Sequence, residues 1–400
     1  MTQSAPSPMR QIPGGVWALG VVSLLMDVSS EMIHALLPVY LVSALGASTE
    51  IVGVIEGVAE ATAQIVKIFS GAVSDWLGKR KLLAALGYGL AAATKPVFPL
   101  ASGATELVAA RFVDRVGKGI RGAPRDALIA DIAPAHLRGA AFGLRQSLDT
   151  VGAFLGPAIA IALMWRTSDD FKAVFWAAVA PAVLAVLVLL VAVREPARPA
   201  APRKVRFPLR LSELRMLSGA FWLVVLVSTL FSLARFSEAF LILRAREAGL
   251  AAALAPLVLV AMNVVYALSA YPAGAWSDRA SRVGLLTAGI FALISANGVL
   301  AWSTDLAGVA LGVALWGLHM GLTQGLFAAL VADTAAPELR GTAFGVFNFT
   351  GGLAVLAASV AAGRLWDVYG APAAFIAGGA CASLALLGAL AAAPKVFARA

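Results

Sequence analysis

The sequence predicts an all-α integral membrane protein, with twelve transmembrane helices in two pseudo-symmetric six-helix bundles. Three observations predict it: a scarcity of charge, a succession of apolar runs long enough to span a bilayer, and an internal repeat. Of the 400 residues, 60% are hydrophobic and only 13% charged. A soluble domain carries about 25% charged residues, so half the charge needed to clothe a water-soluble surface is missing. A single enlarged core is no alternative, because cores stop growing with chain length and chains divide instead. An ordinary water-soluble enzyme is excluded on these grounds.

A spanning helix needs about 20 apolar residues to cross ~30 Å of hydrocarbon. Runs of that kind place helices over 16–43, 49–76, 81–100, 105–132, 139–165 and 171–193. A second set falls over 219–246, 251–276, 282–303, 306–333, 340–364 and 371–393. The runs are continuous and rich in Ala, Leu and Val, whereas a barrel needs short alternating strands. Residues 1–15 are polar and Pro-rich and the first apolar run is long, so no cleavable signal is expected.

The formal net charge of +9 comes from topology, not from nucleic-acid binding. With the N-terminus inside, 17 Lys and Arg side chains fall in cytoplasmic segments, against five (Arg166, Lys172, Arg244, Arg246 and Arg364) on the other side. A cytoplasmic excess of Lys and Arg sets orientation, so a multi-pass protein of the cell inner (plasma) membrane with both termini cytoplasmic is expected. The single Cys381 excludes an intrachain disulfide, and His34, His136 and His319 are too scattered to ligate a metal. No Ser-His-Asp arrangement or Walker motif can be assembled, and no cofactor is implied.

Residues 194–218 are the one polar interruption, with four prolines and a basic character, and they divide the chain near its midpoint. The expected domains are therefore 1–193, a cytoplasmic linker 194–218, and 219–400. Residues 130–143, ADIAPAHLRGAAFG, match residues 332–345, ADTAAPELRGTAFG, at nine of fourteen positions. Gly71-Ala-Val-Ser-Asp75 matches Gly274-Ala-Trp-Ser-Asp278 at almost the same spacing. Parallel repeats with an even number of helices leave both halves in one orientation.

At these residues the chain resembles the major facilitator superfamily of secondary transporters. The family signature after the second helix is present as Gly71, Asp75, Gly78, Lys79 and Arg80, with Trp76 where Arg is usual. The second copy reads Gly274, Asp278 and Arg279, with Ser281 where Gly is usual. Arg115-Val-Gly-Lys118-Gly119 is similar to the family's fourth-helix pattern, with Lys118 replacing Gln. Gly152-Ala-Phe-Leu-Gly156-Pro157 is similar to its antiporter motif, with Ala160 where a later Gly belongs. The resemblance implies alternating access between two halves, with the Asp75 and Asp278 loops as a cytoplasmic gate.

Ionisable side chains inside a bilayer are costly and need a partner or a cavity. Asp27, Glu31 and His34 share one face of the first helix. Glu56, Glu60 and Lys67 share another face on the second, with Gln64 beside Glu60. Arg111, Asp114, Arg115, Lys118, Arg121 and Arg125 fall within an arc of about 120° on the fourth helix. The fifth adds Arg145 and Asp149, and the seventh adds Arg235 and Glu238 three residues apart. Asp27, Glu31 and Asp149 are the expected proton-coupling groups; Glu60, Arg115, Lys118, Arg235 and Glu238 are the expected substrate-cavity groups. The competing reading is internal neutralisation of the fourth-helix cations by acids of helices one and two.

The glycine series Gly117-Lys-Gly-Ile-Arg-Gly122 matches the dinucleotide fingerprint, but no strand precedes it, so close helix packing is expected instead. The same applies to Gly317, Gly321 and Gly325. The expected activity is proton-coupled efflux of a small molecule by antiport. Uptake or exchange of an organic anion on the cationic fourth helix is the alternative, and a non-transporting membrane sensor or assembly factor the alternative of another class. Substrate, proton and lipid bilayer are the expected partners, with a monomer sufficient for function.

Overall fold

The computed structural model describes residues 11–134, 137–195, 214–277, 282–323, 326–336 and 339–396. All regular structure among them is helical. We label the helices α1 Gly14–His34, α2 Thr49–Leu77, α3 Arg80–Thr94, α4 Ala104–Ile132, α5 Arg138–Arg166 and α6 Phe171–Ala192. The second half has α7a Gly219–Leu233, α7b Ala239–Glu247, α8 Leu257–Ser277, α9 Arg282–Trp302, α10a Leu306–Thr323, α10b Leu326–Thr334, α11 Arg340–Tyr369 and α12 Ala371–Val396. The linker segment 196–213 lies outside the described residues.

Among the described residues, eight helices are long and apolar enough to cross a membrane by length and composition. The chain is thus a multi-pass membrane protein. α2 and α4, each 29 residues long, are not among the eight, because their charged side chains lower their hydropathy.

Local chemistry sets the helix ends. Asp170 accepts from the Lys172 and Ala173 N–H groups to cap α6, and Ser218 accepts from Phe221 to cap α7a. Each satisfies N–H groups that the first helical turn leaves without a partner. Gly78 turns the chain from α2 into α3 at φ 63°, a left-handed conformation that glycine adopts without a Cβ clash.

Three spans expected to be continuous are interrupted among the described residues. After His34 the first continues as a turn at Leu37–Val39 and a π-helical turn at Tyr40–Ala44, with Pro38 in the irregular stretch. The third breaks at Lys95-Pro96 before a short turn Val97–Leu100, because Pro96 has no N–H to give. The seventh breaks between Leu233 and Ala239; α10a and α10b are the described parts of the tenth span on either side of residues 324 and 325, which lie outside the described residues. Apolar composition reveals a span's length but not these breaks. Arg235 and Glu238 therefore flank an irregular turn and do not share the helical face that their spacing predicts.

The chain gathers into two compact units. One comprises Met1–His34 with Val66–Phe207, the other Ala35–Ile65 with Pro208–Ala400. In the first, Val16, Leu19, Val22 and Met26 of α1 pack with Tyr88 of α3, Leu128 of α4, Leu144 of α5 and Leu189 of α6. In the second, Phe236, Phe240, Trp316, Trp366 and Phe375 form a chain of ring contacts with centroids 5.3–5.9 Å apart. Aromatic packing at such spacings adds to simple burial.

Within the dinucleotide-like series, Gly117 is a packing residue, as expected. Gly117 on α4 and Gly87 on α3 face one another, and a Cβ on either would stand 2.6 Å from the other's carbonyl oxygen. Gly317 and Gly321 on α10a similarly admit the α8 backbone at Met262 and the Ser269 side chain; Gly325 lies outside the described residues. Gly117→Val is expected to lower stability by about 2 kcal/mol through overpacking. Gly89→Ala, whose Cβ meets nothing within 4 Å, is expected to leave stability unchanged. Thermal unfolding in detergent measures both.

Candidate substrate and coupling sites

In the first unit the charged stripe of α4 turns inward. Arg111, Asp114, Arg115 and Arg121 are each no more than 5% exposed, whereas Lys118 is exposed. Asp114 is the anion on which the stripe converges. Its carboxylate lies 3.0 Å from Lys95 Nζ, 3.7 Å from Arg115 Nε and 4.0 Å from an Arg111 Nη. Lys95 also donates to Ser30 Oγ of α1 at 3.0 Å, tying the broken end of the third span to both α1 and α4. Lys95 is missing from the sequence expectations. The available signal was a lone lysine ahead of a proline inside an apolar run.

The proton-coupling candidates occupy the seam between α1 and α5. A Cβ on Gly152 would lie 2.8 Å from the Leu24 carbonyl oxygen and 3.0 Å from Asp27 Cβ. One on Gly156 would lie 2.7 Å from Glu31 Cβ. The two motif glycines thus let α5 press on the stretch of α1 that carries both acids. Glu31 pairs with His34 Nδ1 at 3.4 Å, as their spacing on one face predicts. Asp149 pairs with Arg145 at 2.6 Å, and Arg145 also reaches Asp126, itself bonded by Arg125. Asp27 makes no hydrogen bond or close ion pair among the described residues. It sits within electrostatic reach of Asp149, Lys118, Arg121 and Arg125.

Of the acids on the first two spans, Asp27 and Glu31 lie within electrostatic reach of α4 cations. Lys118 and Arg115 stand within electrostatic reach of Glu31. Glu56 and Glu60 lie in the other unit, where Glu60 shares the surroundings of Arg235 with Glu238 and Tyr266. Gln64 donates to Glu60 at 3.1 Å. Arg235 sits in the break between α7a and α7b, its guanidinium 5.6 Å from the Phe231 ring centroid. Fully buried His319 completes this group, ringed by Phe231 and Trp316 at 6.1 and 5.4 Å. Irregular backbone at membrane depth is tolerated where it is buried in protein or lines a cavity. Arg235, Glu238 and Glu60 thus form one group, and Arg115 and Lys118 another.

The residues expected to form the gate are partly described. Gly71 meets Ala123 of α4, and Lys79 is the N-cap residue of α3. Arg80 donates to the Ala127 carbonyl and pairs with Asp131 at 2.9 Å, while its N–H donates to Glu195. Lys81 donates to the Leu190 carbonyl. Every one of these contacts is internal to the first unit. Gly274 lies within α8; the Asp75 side chain and all of Asp278 and Arg279 lie outside the described residues. No group of three or more metal-ligating side chains is gathered among the described residues.

Long apolar helices, broken spans with charges at the breaks and buried ion networks define a membrane transporter. A model of the Major Facilitator Superfamily matches residues 19–359, and the chain belongs to that superfamily. An uncharacterised MFS-type transporter of Methanocaldococcus jannaschii is 32% identical over 367 residues, covering 90% of each chain. The multidrug resistance protein MdtH of Aeromonas hydrophila is 25% identical over 358 residues, covering 88% of each. Among solved structures, a mutant form of the nucleoside transporter NupG superposes with a TM-score of 0.81 at 12% identity, covering 94% of this chain and 99% of that one. That likeness is one of fold.

Removing one partner of a buried pair costs about 3–5 kcal/mol, because the other charge stays behind. Asp114→Asn removes the anion shared by three cations, so it is expected to lower the unfolding midpoint more than Lys95→Met. Denaturation of the two variants side by side checks that order.

Proposed function

We propose that the chain is a secondary active transporter that exports a small molecule in exchange for protons, by alternating access between two six-helix halves. The observation that carries this reading is Asp27. It is a carboxylate at membrane depth, held against α5 at Gly152, and among the described residues it has no direct partner where its neighbours Glu31 and Asp149 each have one. A proton taken up there alters the charge seen by Lys118, Arg121 and Arg125. Ionisable residues inside spanning segments mark ion and substrate pathways. The similarity to MdtH favours export. In this reading both termini are cytoplasmic in the inner membrane, the Asp75 and Asp278 loops gate that side, and one chain suffices.

A thermal-shift screen of organic compounds across pH, followed by flux of the best ligand in proteoliposomes, tests the proposal. Asp27→Asn is expected to lose flux driven by a pH gradient and keep substrate exchange. Gradient-driven flux at the unaltered rate overturns the assignment.

A second reading, exchange of an organic anion, is favoured by the crowding of Lys95, Arg111 and Arg115 around a single carboxylate. Under it Arg115→Gln weakens anionic ligands about tenfold or more and spares neutral ones, since hydrogen bonds to charged groups contribute about 1.5–3 kcal/mol. Equal loss for every ligand is the mark of a purely structural ion pair.

A further inference from the structure

Within the second unit, the start of α2 rests against the end of α11 through a contact that neither the repeat nor the charged stripes predict. Asp367, in the last turn of α11, accepts from the Thr49 N–H at 2.9 Å, from Thr49 Oγ1 at 2.5 Å and from the Glu50 N–H at 2.8 Å. These N–H groups belong to the first turn of α2, which cannot satisfy them itself and which carries the positive end of the helix dipole. Asp367 therefore caps α2 from a helix in the opposite half of the sequence. Beside it Arg364 pairs with Glu50 at 3.1 Å, and Thr49 Oγ1 also reaches the Gly363 carbonyl at 3.2 Å.

The cap sits above a backbone seam. A Cβ on Gly363 would lie 2.6 Å from Glu50 Cα, and one on Gly57 would lie 3.1 Å from Leu356 Cα. A Cβ on Gly53 would strike the Ser359 carbonyl oxygen. Two helices in backbone contact over several turns do not yield gradually, since packed interfaces have discrete arrangements.

We propose that Asp367 is a positioning residue of the transport cycle, latching the N-terminus of α2 to α11 while this end of the pathway is shut and releasing it when the end opens. The proposal rests on the alternating-access reading, in which halves rocking about a central site must part at each end in turn. α2 belongs to the first half of the sequence and α11 to the second, so their contact is one that such rocking breaks. This end is opposite the Gly71–Arg80 turn. α2 thereby has a fastening at its N-terminus distinct from the gate predicted at its C-terminus.

The test uses the full chain with Cys381→Ser, which leaves no other cysteine, reconstituted in lipid nanodiscs. Spin labels at Ala44→Cys, exposed at the end of the first span, and at Tyr369→Cys, exposed at the end of α11, report the separation of this end. Short and long separations are expected to coexist. Asp367→Ala is expected to raise the long-to-short ratio about tenfold, as loss of a helix cap shifts a two-state balance. Asp367→Asn keeps an acceptor oxygen and loses the charge, so it is expected to fall between. Two populations in unaltered proportion in both variants overturn the latch and leave alternating access standing. A lowered unfolding midpoint with no change in ratio is what a purely structural cap gives, and also overturns it. A single short separation in every variant overturns the latch together with the reading beneath it.

Discussion

Lys95, Arg111 and Arg115 converge on the Asp114 carboxylate where water is excluded, and that convergence determines how the first unit is built. A cation in hydrocarbon must find an anion, a cavity or the interface. The α4 stripe is too long to reach the interface along its whole length, so α1, α3 and α5 bring partners to it. Lys95 draws in the end of α3, Glu31 and Asp27 face it from α1, and Arg145 with Asp149 extends the network along α5. Shape complementarity then follows from the glycines. Gly87 with Gly117, and Gly152 with Gly156, let the helices approach closely enough for these short polar contacts.

Such a network serves change as readily as stability. Buried ion pairs contribute little net stabilisation relative to a well-packed apolar alternative, and breaking one is costly. An arrangement in which several cations share few anions has more than one comparable pairing. Arg145, bonded to both Asp126 and Asp149, is a case in which a guanidinium already has two carboxylates to choose between. Charge placed this way can exchange one pairing for another without unfolding the helices that carry it.

Fold class was legible in the sequence because lipid imposes two blunt requirements, apolar length and internal hydrogen bonding, and both leave long signals. The repeat was legible because Asp, Arg and Phe do not recur at one spacing by membrane composition alone. The α1 face of Asp27, Glu31 and His34 and the buried side of α4 were legible from helical period. Lys95 was not, since a single lysine in an apolar run carries no period. Neither was the division of Arg235 from Glu238 by a helix break, because no proline marks it. The pairing of Asp367 with Thr49 joins residues 318 positions apart, and no pattern in one sequence connects them.

α2 runs unbroken from Thr49 to Leu77, while the boundary between the compact units passes through it at Ile65 and Val66. At 1.5 Å per residue, its 29 residues make a rod about 43 Å long. A rod without a hinge acts as a lever. A tilt of about 10° at one end displaces the other by about 7 Å over that length. A tilt imposed at one end of Thr49–Leu77 is carried along the rod to the other, because no irregular turn within it is there to absorb the change.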